Sequence, residues 1–236
     1  MNHVKGFARA QDGNVDKYVK MKYPIIESLK THNEILMDKQ FLPLPKDTPF
    51  GNLFLSWIEI LQRTDRINDL IIDLYTDFEI IKQNQDVINP DISSLFYKQK
   101  FLTEQIFYWL RKTADELISL IYLLDFNKKK NTFPTKIEIN SVGSLLKKDV
   151  YIPELFDVFR KFLKILNEIS NGYKHSFINS QAHTYHGKNY PVIFALTVEY
   201  NNLKNEPKFH SCKFSDVIEN YNIFLSEVKL YIKKNF

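Results

Sequence analysis

Leu166 to Phe177 reads LNEISNGYKHSF and sets an imidazole and two amides along one side of a helix. At 100° per residue, Arg160, Lys164, Asn167, Asn171 and His175 form a continuous polar stripe. Leu155, Phe159, Phe162, Leu163, Leu166, Ile169, Tyr173 and Phe177 fall on the other side. Imidazole titrates near neutrality, so His175 can take a proton and return it. The ordinary reading of such a stripe is the wet face of an amphipathic helix. Against it, His and Asn form helices less readily than the Lys and Glu that usually fill wet faces. Asn167, Asn171 and His175 recur at i, i+4 and i+8 with Gly172 among them, a pattern that suggests more than solubility.

A second polar set lies on the preceding long helix, where Glu104, Tyr108, Arg111, Asp115 and Tyr122 share a side away from the apolar stripe. Arg111 and Asp115 stand four apart and can pair as a surface ion pair worth a few tenths of a kcal/mol, about 0.3–0.5. The alternative sets Arg111 beside His175, adding a cation from another helix.

The remaining reactive residues carry weaker patterns. His183, Thr184, Tyr185 and His186, with His210 and Cys212, match no standard zinc spacing, so no metal site is expected. Cys212 shows no neighbouring base that would make it a nucleophile. No Walker loop, GxGxxG, HExxH or GxSxG pattern occurs, and no cofactor is expected. Phe101, Phe107, Tyr108 and Trp109 read as core, with no basic groove legible beside them.

The elements that must position these groups are mostly helices. The first 45 residues are irregular, with a short helix expected near Ile25 to Met37, and FLPLPKDTPFGN is a connector. From Phe50, Leu53, Phe54, Trp57, Leu61, Ile67, Leu70, Ile71, Leu74, Phe78 and Ile81 recur at spacings of three and four, a long helix with one apolar stripe. Asn89-Pro90-Asp91 ends it, and Asp91 is placed to cap the next helix. That helix is expected over Ile92 to Phe126, antiparallel to the first, with each spanning about 50 Å. A polar loop over Asn127 to Thr135 and a short piece around Ser141 to Lys148 follow. Pro153 then opens the third long helix. Pro191 to Tyr200 and Lys208 to Phe214 change to β-branched and aromatic residues and read as a hairpin. Ser215-Asp216 is placed to cap a last helix along Val217, Tyr221, Phe224, Val228 and Ile232. The expected fold is a mainly α, up-and-down helical bundle with a small β-hairpin inserted before the C-terminal helix. A helical extension, 1–91, packs on a bundle, 92–236, with the hairpin at about 191–214, as one compact domain overall.

Composition agrees with a packed core: 44% of the 236 residues are hydrophobic and only 6 are Gly and 9 Pro, which excludes disordered and collagen-like chains. No apolar run approaches the roughly 18 residues of a membrane span, and the start MNHVKGFARAQDGN lacks a secretory h-region. A single cysteine excludes an internal disulfide framework and fits a reducing cytoplasm. The net charge of +4 comes mainly from Lys, in a chain rich in Lys, Ile, Asn and Phe, as an AT-rich coding genome gives. The runs Lys128–Lys130 and Lys233-Lys234 read as solvated loop ends.

Ser170-Asn171-Gly172-Tyr173-Lys174-His175, late in a long helix of a bundle, resembles the RNxxxH motif of the HEPN superfamily. Asn171 and His175 match, while the arginine position is occupied by Ser170; the resemblance covers Ile92 to Phe236. It implies metal-independent RNA cleavage, with His175 assisting proton transfer as a ribose 2′-hydroxyl attacks phosphorus. It implies Asn171 as an orienting or phosphate-contacting group and Lys174 or Arg111 as the cation in place of the motif arginine. Lys164 and Asn167 are further RNA contacts on the same stripe, with Ser170, Asp115, Tyr108 and Glu104 supporting. The resemblance also implies a homodimer and a setting in bacterial RNA targeting or defence. The other reading is a non-catalytic bundle that binds a partner protein or ligand through the polar stripe and hairpin.

Overall fold

Asn52 is extended (φ −88°, ψ 100°) and its side chain accepts the Leu55 N–H at 3.0 Å, so the chain turns helical at Leu53. This starts α1, Leu53–Gln83, in a computed structural model that describes residues 23–28, 40–84, 90–147, 153–175, 188–198, 202 and 204–236, the side chains of 90–93 and 175 excepted. Every residue of the expected α1 stripe is buried or half-buried.

The second helix, α2, runs Pro90–Lys130, longer at both ends than expected. Proline suits the first helical position because its missing N–H has no partner there, so the helix begins at Pro90 and Asp91, expected to precede it, lies within it. At the far end Asn131 adopts φ 52° and its N–H bonds the Asn127 carbonyl at 2.8 Å, closing the last turn. Lys128–Lys130 therefore form the final helical turn and not a loop, where cations meet the negative end of the helix dipole. Arg63–Glu116 at 2.6 Å and Lys98–Asp77 at 2.9 Å pair residues in opposite order, fixing α1 and α2 as antiparallel.

A six-residue helix, α3 (Val142–Lys147), follows, its start capped by Ser141, whose hydroxyl accepts the Ser144 N–H at 3.1 Å. α4 (Glu154–His175) packs antiparallel to α2, with Phe107 edge-on to Tyr173 near one end and Ile118 and Phe156 sharing a cavity near the other. β1 (Val192–Thr197) and β2 (Lys208–Lys213) pair antiparallel, from Val192 opposite Lys213 to Thr197 opposite Lys208. β2 runs directly into α5 (Phe214–Asn235). The expected Ser215-Asp216 cap is not used: the buried Phe214 already sits in the helix with its N–H on the Pro191 carbonyl at 3.0 Å, and Ser215 bonds Asp216. The fold is a mainly helical up-and-down bundle with a two-stranded hairpin before the last helix, and no helix among the described residues is long and apolar enough to cross a membrane.

Residues 23–28 form an extended strap and not the start of a helix; the remainder of the helix expected near Ile25 to Met37 lies outside the described residues apart from this strap. Two asparagines replace the hydrogen bonds a helix would have made. Asn68 of α1 accepts the Ile26 N–H and donates to the Ile26 carbonyl, both at 2.8 Å. Asn222 of α5 accepts the Glu27 N–H at 2.8 Å and donates to the Ile25 carbonyl at 2.9 Å. The buried Lys229 ammonium lies 2.9 Å from Glu27 and 3.2 Å from Gln40, which satisfies a charge that would otherwise be costly. Most buried apolar side chains form one cluster from Ile26 to Ile232, with Trp57, Phe107, Tyr221 and Phe224 among its largest members.

Asn68 is fully buried, so Asn68→Ala leaves an N–H and a carbonyl of Ile26 unpaired in the core. The expected loss is about 2–4 kcal/mol in urea unfolding; a midpoint unchanged from wild type would show that the strap does not hold α1 to α5.

Candidate functional site

α4 carries the polar stripe, and its residues meet different surroundings. Arg160, Lys164 and Lys174 are exposed, whereas Asn167 and Asn171 are half-buried. Ser170 is 3% exposed, so direct contact with a bound phosphate is closed to it. His175 ends α4 one turn beyond Asn171, and its side chain is outside the described residues, as are His183 and His186.

Arg111 reaches across from α2, and its Nη1 donates to Asn171 Oδ1 at 3.0 Å. The same guanidinium stands near its i+4 neighbour, with Nε 3.7 Å from Asp115 Oδ2. Asp115 Oδ1 accepts the Val142 N–H at 2.7 Å, the first amide of α3. An amide, a guanidinium, a carboxylate and a backbone N–H thus connect α4, α2 and α3 in series. Burial raises the Asp115 carboxyl above its ordinary value, while the Val142 N–H, Arg111 and Lys112 oppose that rise. Arg111 Nε and Asn167 Oδ1 are buried in this seam with no hydrogen-bond partner among the described residues. Glu104 and Tyr108 lie on the same side of α2 as Arg111, two turns and one turn earlier; burial raises the Glu104 carboxyl.

Beside the seam, an open groove of about 650 Å³ separates α3 from α4. Lys147, Arg160, Lys161 and Lys164 line it, with Asp157, Glu168 and Asn167. Arg160 Nη2 donates to the Leu146 carbonyl at 3.2 Å, so one of these cations also ties the two walls. The Lys208 ammonium lies 2.9 Å from Glu168 and offsets that carboxylate, leaving the groove predominantly cationic.

The hairpin lies on α4 at Gly172. A Cβ there would come 2.6 Å from Thr197 Cγ2, so the glycine of the motif provides room for β1. Next to it is a group that no sequence pattern marked. His210 Nε2 is 3.5 Å from both Glu168 Oε2 and Thr197 Oγ1. Both contacts fall on one ring nitrogen, so this is not a nucleophile–base–acid relay, which needs the two nitrogens to face different partners. Burial lowers the His210 pKa, with Glu168 raising it and Lys208 lowering it. The alternation of Lys208, His210 and Cys212 along β2 signals a shared strand face, but nothing in it marks α4 as the surface they meet.

Cys212 is pushed up to about 11 by burial, which removes it as a thiolate nucleophile. Among the described residues, no three His, Cys, Asp or Glu side chains come together as a metal site. The aromatic reading of α2 needs correction: Phe107 is buried and Trp109 half-buried, but Phe101 and Tyr108 are 60% and 43% exposed. They sit on the α2 face turned away from the core.

Gly172→Ala should destabilise the chain by about 1–3 kcal/mol, because the added methyl strikes a short β-branched side chain. Thr197→Ser removes the struck atom, and in that background Gly172→Ala should become neutral or stabilising by up to about 1 kcal/mol, the helix-propensity gain. Destabilisation that persists in the double variant would place the strain elsewhere.

The lowered His210 pKa means that, below the ordinary value of 6.5, the unfolded chain binds the proton before the folded chain does. Stability should therefore rise with pH as it climbs towards 6.5, and His210→Gln should flatten that slope. Equal slopes for both proteins in urea titrations between acid and neutral pH would exclude His210 as the source. Beyond the geometry of this seam, no family model, curated protein or solved structure matches the chain.

Proposed function

We propose that this chain is a HEPN-like protein that binds RNA in the α3–α4 groove and cleaves it without a metal. The observation that carries the reading is the 3.0 Å bond from Arg111 to Asn171, which gives the motif a guanidinium although Ser170 occupies its arginine position. A guanidinium remains charged and carries five N–H donors, of which the Asn171 bond uses one. In the proposed reaction His175 accepts the ribose 2′-hydroxyl proton and returns a proton to the leaving oxygen. Arg111, positioned by Asn171, faces the charge that grows on the phosphorane, and Lys174 adds a second cation. Lys147, Lys161, Lys164 and Asn167 hold the strand through its phosphates, a salt-sensitive interaction. The homodimer and the setting in bacterial defence follow from the resemblance alone, and the cytoplasmic location from the single cysteine.

A specific observation favours the second reading, a non-catalytic module that binds a partner protein. Tyr97, Phe101 and Tyr108, spaced i, i+4 and i+11 on α2, are 77%, 60% and 43% exposed, an aromatic face of the kind that docks partners.

Labelled RNA incubated with the protein in EDTA separates the two. Cleavage should persist in chelator, fall at least about 100-fold in His175→Ala and fall less in Arg111→Lys, which keeps the charge but loses the planar fork. Lys161→Glu with Lys164→Glu should weaken binding and reduce the salt slope by about 1.5. Intact RNA across many sequences at every salt concentration sinks the nuclease and leaves the partner-binding module.

A further inference from the structure

Away from the seam, the C-terminal half of α2 and the first turn of α4 wall a cavity of about 240 Å³. Ile118 and Phe126 line it from α2, Phe156 from α4, Ile139 from the loop after α2 and Leu145 from α3. Contacts outside the cavity hold these walls apart. The Val142 N–H on Asp115 fixes the start of α3, and the Ser141 cap fixes the end of the loop. The edge-on contact of Phe107 with Tyr173 sets α2 against α4 at their far end. The space is therefore preformed, the usual condition of a small-molecule site. An apolar cavity of about 150 Å³ already holds benzene, so this one has room for a fused pair of rings.

The polar groups at its edge give a charged occupant nothing to pair with. Asp125 Oδ1 receives the Tyr231 hydroxyl at 2.6 Å, and Oδ2 receives the Lys129 ammonium at 3.1 Å. That second contact offsets the lysine as well as the carboxylate. The Tyr122 hydroxyl meets the Glu138 backbone, and Glu138 is exposed with a further contact within the chain. An ion entering here would give up its water and find no free counter-charge. A neutral molecule gains burial against Ile118, Ile139 and Leu145. The Tyr122 and Phe126 rings, 6.2 Å apart and tilted by 44°, together with Phe156 offer faces and edges to an aromatic guest.

We propose that this cavity binds a neutral bicyclic aromatic molecule, held by apolar burial and ring packing without an ionic partner. The proposal does not rest on the RNA reading, since the cavity shares no lining residue with the α3–α4 groove.

Calorimetric titration and thermal melting of the full chain test it, with indole as the probe. N-methylquinolinium and indole-2-carboxylate serve as a cation and an anion of similar size whose charge sits on or beside the rings. Indole should bind saturably and at least about tenfold more tightly than either ion. Glu138→Gln, on the exposed rim, should leave the indole affinity within about twofold of wild type. Ile139→Trp, which fills the cavity, should abolish binding; Leu145→Phe narrows the same space more gently and should weaken it several-fold. Neither heat nor a raised melting temperature with indole at millimolar concentration would overturn the proposal. So would an ion that binds as tightly as indole, a large loss of affinity in Glu138→Gln, or wild-type affinity in a folded cavity-filling variant.

Discussion

The Arg111 guanidinium is the group on which the arrangement of α2, α3 and α4 turns. It faces the Asn171 amide on one side and the Asp115 carboxylate on the other, and Asp115 receives the first N–H of α3. None of these groups is comfortable alone in a half-buried seam. A carboxylate losing water is pushed towards protonation, and a guanidinium cannot discharge itself, so each needs the other in place. Among the described residues, Arg111 Nε and Asn167 Oδ1 make no hydrogen bond, although Arg111 Nε keeps its ion-pair contact with Asp115. The cationic groove opens beside this same seam, so packing and any ligand chemistry depend on one set of contacts.

The strap solves a different problem. Four long antiparallel helices leave the flank between α1 and α5 to be closed, and residues 25–27 close it as an extended chain whose N–H and carbonyl groups need partners. Asparagine supplies a donor and an acceptor on one short side chain and can therefore imitate a neighbouring strand. Asn68 and Asn222 do so from opposite sides, and Lys229 with Glu27 adds an ion pair at the same place. This explains why Ile25 to Ser28, apolar enough to suggest a helix, are not helical. Their partners are about 40 and 200 residues away and invisible to any local pattern.

The same distinction separates what periodicity reveals in this chain from what it hides. The apolar stripes of α1, α2, α4 and α5 are legible because burial repeats every three or four residues, and the hairpin because its period changes. Helix ends are less legible: α2 begins at Pro90 and α5 at Phe214 because a proline and a strand junction decide them, not the nearest capping side chain. The Arg111–Asp115 spacing is plain in the sequence, but the contact to Asn171 depends on how two helices cross, which no spacing encodes. His210 reads as one residue of a hairpin strand, and only the folded packing sets it beside Glu168 of α4. Gly172 looks like a flaw in a helix until Thr197 is found against it.

The burial of Ser170 bears most directly on the chemistry. A guanidinium at that position would have to enter the core side of α4, so an arginine could not stand at position 170 without disturbing the packing. Under the proposed reading, α2 brings a cation from a neighbouring helix, since Arg111 bonds the adjacent residue, Asn171. A cation borrowed in this way is held by the α2–α4 interface and not by its own helix. Loosening that interface, whether at Phe107 against Tyr173 or where the hairpin presses on Gly172, therefore shifts the guanidinium relative to the end of α4. Where the motif carries its own arginine, cation and imidazole lie on one helix and keep their distance whatever the neighbours do. Under the nuclease reading that distance would be a property of the packed bundle, and electrostatic stabilisation of a transition state falls steeply once preorganisation is lost.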